Sequence, residues 1–237
     1  MGKELKWDEE GERFFETGVS KGAFYPIQGD GTYSKGYVWN GLSSVNENPS
    51  GADANPTYAD NIKYLNLIGA EDFSGTIESY TKPEMFAECD GSKEIAPGVF
   101  AGQQNRKKFG FTYQTILGND TAGNSYGYTL HLVYGANAAP SSKQYSTVNE
   151  SPEPVALSWE FKTTPVAINT VVNGETLKPT ATLELRSDKV PADKMKEIED
   201  ILYGTENADP RLPLPDEVIQ ILSSNSSSVT PEETSEP

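Results

Sequence analysis

A mainly β fold is what these 237 residues predict, on three observations. Apolar and polar residues alternate through most segments up to about residue 186. Clusters of Gly, Asn, Asp and Ser punctuate those segments. Helical spacing is confined to a few short stretches. Period two with one polar face marks a half-buried antiparallel strand.

Taken in order, "TGVSKGAFYPI" and "GYVWNGLSSV" read as strands joined by the turn-rich "QGDGTYSK". Next comes "VNENPSGADANPTYADN", Val45 to Asn61, which has neither helical nor strand spacing and no Lys or Arg. A long loop is expected there, and loops of that length are functional or disordered. "NIKYLNLIGA" and "EDFSGTIESYT" then read as two extended runs meeting near Gly69–Asp72. In the second run Asp72, Ser74, Thr76 and Glu78 alternate with Phe73, Gly75 and Ile77.

"TKPEMFAECDG" predicts a short helix over about 82–90. Thr81 and Glu84 have capping-box spacing, Pro83 fits the first turn, and Gly91 can end it. Cys89 falls on its apolar side with Phe86. "FGFTYQTI" and "GYTLHLVY" predict a hairpin with a long loop, "GNDTAGNSYG". "VALSWEFKT" places Val155, Leu157, Trp159 and Phe161 on one face, and "TATLELRS" is a further strand. "PADKMKEIEDILYG" is an amphipathic helix from Pro191 to Gly204, and "PDEVIQIL" a shorter one opened by Pro215. The organisation expected is a β domain over 1–186, a helical segment over 187–222, and an acidic Ser-rich tail over 223–237 too polar to order.

Charge bounds the function. Nineteen basic residues face 35 acidic ones, a net charge of -16. Nucleic-acid binding rests on Lys and Arg neutralising phosphates, so this balance argues against it. Cys89 is the one cysteine, which rules out an intramolecular disulfide and fits a reducing compartment. The opening "MGKELKWDEEGERFF" lacks the apolar run of a signal peptide, and no segment approaches a membrane span.

Catalytic constellations are not in view. One Cys and one His cannot build a zinc site without two carboxylates. Cys89 reads as a small buried hydrophobe rather than a nucleophile. His131, in the polar phase of its strand, reads as a satisfied surface or interface histidine. "GDGTYSKG" lacks the Gly-Lys-Ser/Thr ending of a phosphate loop and reads as a turn. The residues imply no enzyme, metal or cofactor. The one basic cluster, Arg106, Lys107 and Lys108, reads either as solvated charge or as an edge that meets an acidic neighbour.

Several stretches in order, among them "ETGVSKGAFYPI", "TIESYTKPEMFAECDG", "APGVFAGQQNRKKFGF", "GNDTAGNSYGYTLHLVYGA", "TVNESPEPVALSWEFKTTPV" and "EIEDILYGTENADPRLPLPDEVI", resemble the major tail tube proteins of long-tailed bacteriophages. The likeness is to the non-contractile type infecting Gram-positive hosts, and it runs to about Leu222.

The resemblance implies two packed antiparallel sheets, sandwich- or barrel-like, flanked by a helix. It implies six subunits in a ring, rings stacked into a tube, and DNA passing through without specific binding. It implies partners: other copies of the chain, a tail-tip initiator, a tail-length scaffold and a terminator, with no membrane, in a virion assembled in the host cytoplasm. The long loop, by analogy about residues 40–61, would couple rings and subunits, with Glu47, Asn48, Asp53, Asn55, Tyr58 and Asp60 as its contact residues. Asp72, Ser74, Thr76 and Glu78 are the candidates to face the lumen. The competing reading of the same residues is an acidic β-sandwich that binds carbohydrate on exposed Tyr and Trp.

Overall fold

The computed structural model describes residues 4–141, 143–145, 147, 154–172 and 174–224. It is mainly β. In chain order come β1 (Phe14–Pro26), β2 (Tyr33–Ser34), β3 (Tyr37–Trp39), β4 (Leu42–Glu47), β5 (Ser50–Gly51), β6 (Ala54–Ala59), β7 (Ile62–Ile68), β8 (Glu71–Asp72) and β9 (Ser74–Ser79). A 3-10 turn (Glu84–Phe86) leads into α1 (Ala87–Asp90), followed by β10 (Lys93–Ala96), β11 (Val99–Ala101), β12 (Phe109–Asn119), β13 (Gly123–Ala138) and β14 (Leu157–Lys162). The chain ends with β15 (Val171–Val172), β16 (Glu175–Thr176), β17 (Thr182–Arg186), α2 (Ala192–Tyr203), β18 (Arg211–Leu212) and α3 (Pro215–Ser223). Ser223 closes α3, and the rest of the expected tail, from 225, lies outside the described residues.

The main sheet is antiparallel, ordered β3-β1-β12-β13-β14-β9-β4, with β17 also on β13. The two packed sheets implied by the resemblance are thus two halves of one hydrogen-bonded sheet, and β13 belongs to both. Residues 129–133 of β13 pair with β17, whereas Asn137 and Ala138 pair with β14. Gly135 makes the transition. Its φ is +60°, and a Cβ there would meet the Thr164 carbonyl oxygen at 2.2 Å. Only glycine combines that backbone with that approach.

The second half folds over the first. Phe24, Phe111, Tyr113 and Val133 of one half meet Ile77, Trp159 and Phe161 of the other, with Trp39, Phe86 and Cys89 between them. Trp39 and Trp159 cross edge to face, 5.3 Å between ring centres. Each fully buried large side chain of this kind is worth about 1.5–3 kcal/mol.

The other face of the first half is buried too. Tyr25, Leu130, Leu132, Tyr134 and Leu185 pack on Met195, Ile198 and Leu202 of α2 and on Val218 and Ile221 of α3. Tyr25 Oη donates to the Leu202 carbonyl (2.8 Å), and Tyr134 Oη to that of Pro213 (3.0 Å). The helical segment 187–222 therefore packs as a third layer on the β domain. One sheet buried on both faces also covers the polar phase of β13, so Thr129 and His131 are buried.

Two local expectations are corrected. The hairpin β12–β13 closes tightly, with Asn119 paired to Gly123, because Asn119 Oδ1 accepts the Ala122 amide at 2.7 Å and sets the turn. The capping box at Thr81 does not form. Pro83 takes the N-cap position, and the Thr81 hydroxyl donates instead to the Asn40 carbonyl at 2.7 Å. Gly91 ends α1 at φ +83° as expected.

Candidate functional site: a projecting hairpin arm

The stretch expected as a structureless loop begins on β4 and, from Asn48 on, is the outgoing half of a long β hairpin. Residues 62–72 are its return. β6 pairs β7 from Ala54↔Ile68 to Ala59↔Ile62, and β5 pairs β8 through Ser50↔Asp72 and Gly51↔Glu71. The turn at the tip is Asp60-Asn61, with φ +51° and +61°. Positive φ at both central residues is the type I′ geometry that two-residue hairpins favour, and Asp and Asn tolerate it. "NIKYLNLIGA" therefore pairs with the segment before it, not with "EDFSGTIESYT" as the sequence suggested.

The root of this arm is tied down. Asn48 N donates to the Ser74 carbonyl (2.8 Å), and Ser74 Oγ to the Asn48 carbonyl (2.7 Å). Tyr113 Oη donates to Glu47 Oε1 at 2.5 Å. Beyond Asn48 every residue of β5 to β8 is exposed.

That exposure includes large apolar side chains. Tyr58, Ile62, Tyr64, Leu67 and Ile68 are each 61–70% exposed. By register Asn55, Thr57, Leu65 and Leu67 share one face. So many exposed large apolar side chains on one projecting ribbon mark an interaction surface. A two-stranded ribbon is also marginal by itself, so burial against a partner is what would stabilise it.

The expected arm residues fall along this feature. Asn48 is at the root, Asp53 and Asn55 on the outgoing strand, Tyr58 near the tip and Asp60 in the turn. Glu47 lies inside the domain, on β4. Ile62, Tyr64, Leu65, Leu67 and Ile68 were missed as arm residues. The signal was present: an apolar run after a pair of residues that both tolerate the left-handed region.

Of the four lumen candidates, Ser74, Thr76 and Glu78 share the half-buried face of β9, alternating with buried Gly75, Ile77 and Ser79. Across the second half-sheet they align with Ser158, Glu160 and Lys162 on one side, and Ser44 and Asn46 lie opposite Glu78 and Thr76 on the other. This face is polar throughout, and Ser44 Oγ donates to Glu78 at 2.8 Å. Asp72 is not on it; it belongs to the arm, paired with Ser50.

Each residue of the basic cluster makes a contact within the chain. Arg106 Nη2 donates to the Asp90 carbonyl (2.9 Å), Lys107 pairs with Glu88 (2.5 Å), and Lys108 Nζ donates to Thr164 Oγ1 (2.9 Å). These contacts tie the segment before β12 to α1 and to the strand region beyond β14. They compete with the role expected for it against an acidic neighbour.

Cys89 is fully buried, and burial, with Glu88 nearby, pushes its thiol up to about 12. His131 is buried rather than at the surface, stacked on Tyr113 with ring centres 4.5 Å apart. Among the described residues no helix is long and apolar enough to cross a membrane. No protein-family model matches the chain, and no curated protein matches it.

Proposed function

We propose that this chain is the structural subunit of a non-contractile bacteriophage tail tube. In this reading it is not an enzyme; it polymerises as rings, six copies each, that stack around a DNA conduit. The arm is the observation that carries the reading. A domain with its core already complete extends an ordered hairpin whose tyrosines, isoleucines and leucines have nothing to pack on. Repeated heterologous docking of such an arm on the next copy generates an open stack rather than a closed dimer.

Two further features support it. The main sheet has open edges: β1 is paired over its whole length on one side, but β3 covers only Gly22–Phe24 on the other. An uncapped edge is a liability unless another strand joins it, and closure into a barrel removes it. The outer face of the second half-sheet, with Ser74, Thr76, Glu78 and Glu160, carries no excess of cations to bind duplex DNA. Such a wall lets a polyanion slide.

The tail-tip initiator, length scaffold and terminator are the partners this assignment requires, and the virion is where it places the protein. The carbohydrate-binding alternative needs an aromatic platform. Two of the three tryptophans, Trp39 and Trp159, are in the core, at 2% exposure each.

Electron microscopy of the purified protein at high concentration tests the proposal. Stacked hollow rings are expected. Dispersed monomers that bind glycans would overturn it in favour of the binding module.

A further inference from the structure

The arm is rooted beside the chain's single histidine, and the groups around that ring do not balance as drawn. His131 is 7% exposed. Its Nε2 lies 2.9 Å from Thr115 Oγ1 and 3.6 Å from Glu16 Oε1. The Thr115 hydroxyl donates to Glu16. With its proton committed there, Thr115 can only accept from His131, so Nε2 carries the hydrogen in the neutral ring. Nδ1 is then a bare lone pair. It is buried, makes no hydrogen bond, and sits 3.9 Å from Glu47 Oε1.

A lone pair facing a carboxylate is unfavourable, and a buried acceptor left without a donor costs about 1–3 kcal/mol. One proton on Nδ1 removes both penalties. It turns the bare acceptor into a cationic N–H 3.9 Å from the Glu47 carboxylate, within ion-pair range.

We propose that His131 is a proton-operated clasp at the root of the arm. On protonation it joins Glu47 of β4 to Thr115 and Glu16 of β12 and β1, in one chain through the imidazolium. The residue it grips is the last of β4. Asn48, the next residue, begins the arm.

Every element packed around the ring contributes to the balance. β1 supplies Glu16 and β4 supplies Glu47. β12 supplies Tyr113, stacked on the ring and donating to Glu47, and Thr115. β17 supplies Glu184, in register with His131, and two residues on Arg186, which is occupied by Asp188 at 2.9 Å. Two carboxylates thus lie within 3.9 Å of the imidazole, a third belongs to the residue paired with it across the sheet, and Arg186 is already paired with Asp188.

Glu16 supports the same picture. Burial opposes its ionisation, yet hydrogen bonds from Thr115 and Thr129 and the charge of His131 hold its pKa below the usual value. It remains an anion for the clasp as the solution is acidified. The sign follows: proton uptake tightens the root, and the tightening is lost as pH rises.

This inference does not depend on the tube assignment. It concerns the root of the arm in the isolated chain. With one histidine, nitrogen-15 labelled imidazole gives an unambiguous spectrum. At about pH 8 the shifts should show Nε2 protonated and Nδ1 bare, and toward about pH 5, across the range where histidine changes charge, Nδ1 should gain the proton.

Over the same range the Asn48 amide, corrected for intrinsic exchange, should become about three- to fivefold better protected, the scale of one modest ion pair. Glu47→Gln should abolish that gain while Glu16→Gln, at the far end of the chain, reduces it. His131→Asn should leave protection independent of pH. The clasp is refuted if Nδ1 already carries the hydrogen in the neutral ring, or if folded Glu47→Gln gains protection as the wild type does.

Discussion

Cys89 and His131 show how far a single residue can be read. Cys89 was expected on the buried side of a short helix, and it lies there at 0% exposure between Phe86 and the folded sheet. With its thiol raised to about 12, mainly by burial, it holds almost no thiolate at neutral pH. Maleimide should therefore label the native protein at pH 8 far more slowly than the unfolded chain, and labelling at equal rates would contradict the packing. Cys89→Ser should cost about 1–3 kcal/mol in a denaturant titration, because a buried hydroxyl there would lack a partner. It should leave assembly intact. His131 was misjudged for a physical reason. Alternation says which phase of a strand is polar; it cannot say that a second layer will cover that phase.

At the level of elements, local chemistry was legible wherever the chain sets its own geometry. Pro191 and Gly204 bracket α2, Pro215 opens α3, and Gly91 ends α1. Where a neighbour sets the geometry, the reading failed. Thr81 could cap a helix, but Asn40 offers its hydroxyl a better partner. The position of α2 is of the second kind. Its stripe was legible; the sheet face that receives it was not. Ile198 is fully buried in that contact, so Ile198→Ala should cost about 2–5 kcal/mol. Loss of sheet and helix should be a single transition by circular dichroism and tryptophan fluorescence. Melting of α2 alone, with the sheet intact, would show that the sheet does not depend on this layer.

For the whole molecule, the division is between a closed core and an arm outside it. Replacing Ala52–Ala70 by Asn-Gly would join Gly51 to Glu71 through a two-residue turn suited to the pairing already present there. Because every residue of β6 and β7 is exposed, melting should change little. Under the proposed function the trimmed protein should stay dispersed where the full chain forms tubes, as sedimentation and electron microscopy would show. Full-length tubes from the trimmed chain would remove the arm from any role in stacking. By itself the sequence determined the mainly β class, most strand positions, both C-terminal helices and the acidic surface. These follow from periodicity and from Pro and Gly, which act within a few residues. Only the tertiary structure decided that β13 joins two half-sheets, that both faces of the main sheet are buried, that the basic cluster makes contacts within the chain, and that residues 48–61 are half of an arm. Those outcomes depend on which distant segment arrives alongside, and pairing between remote segments leaves no period in the chain.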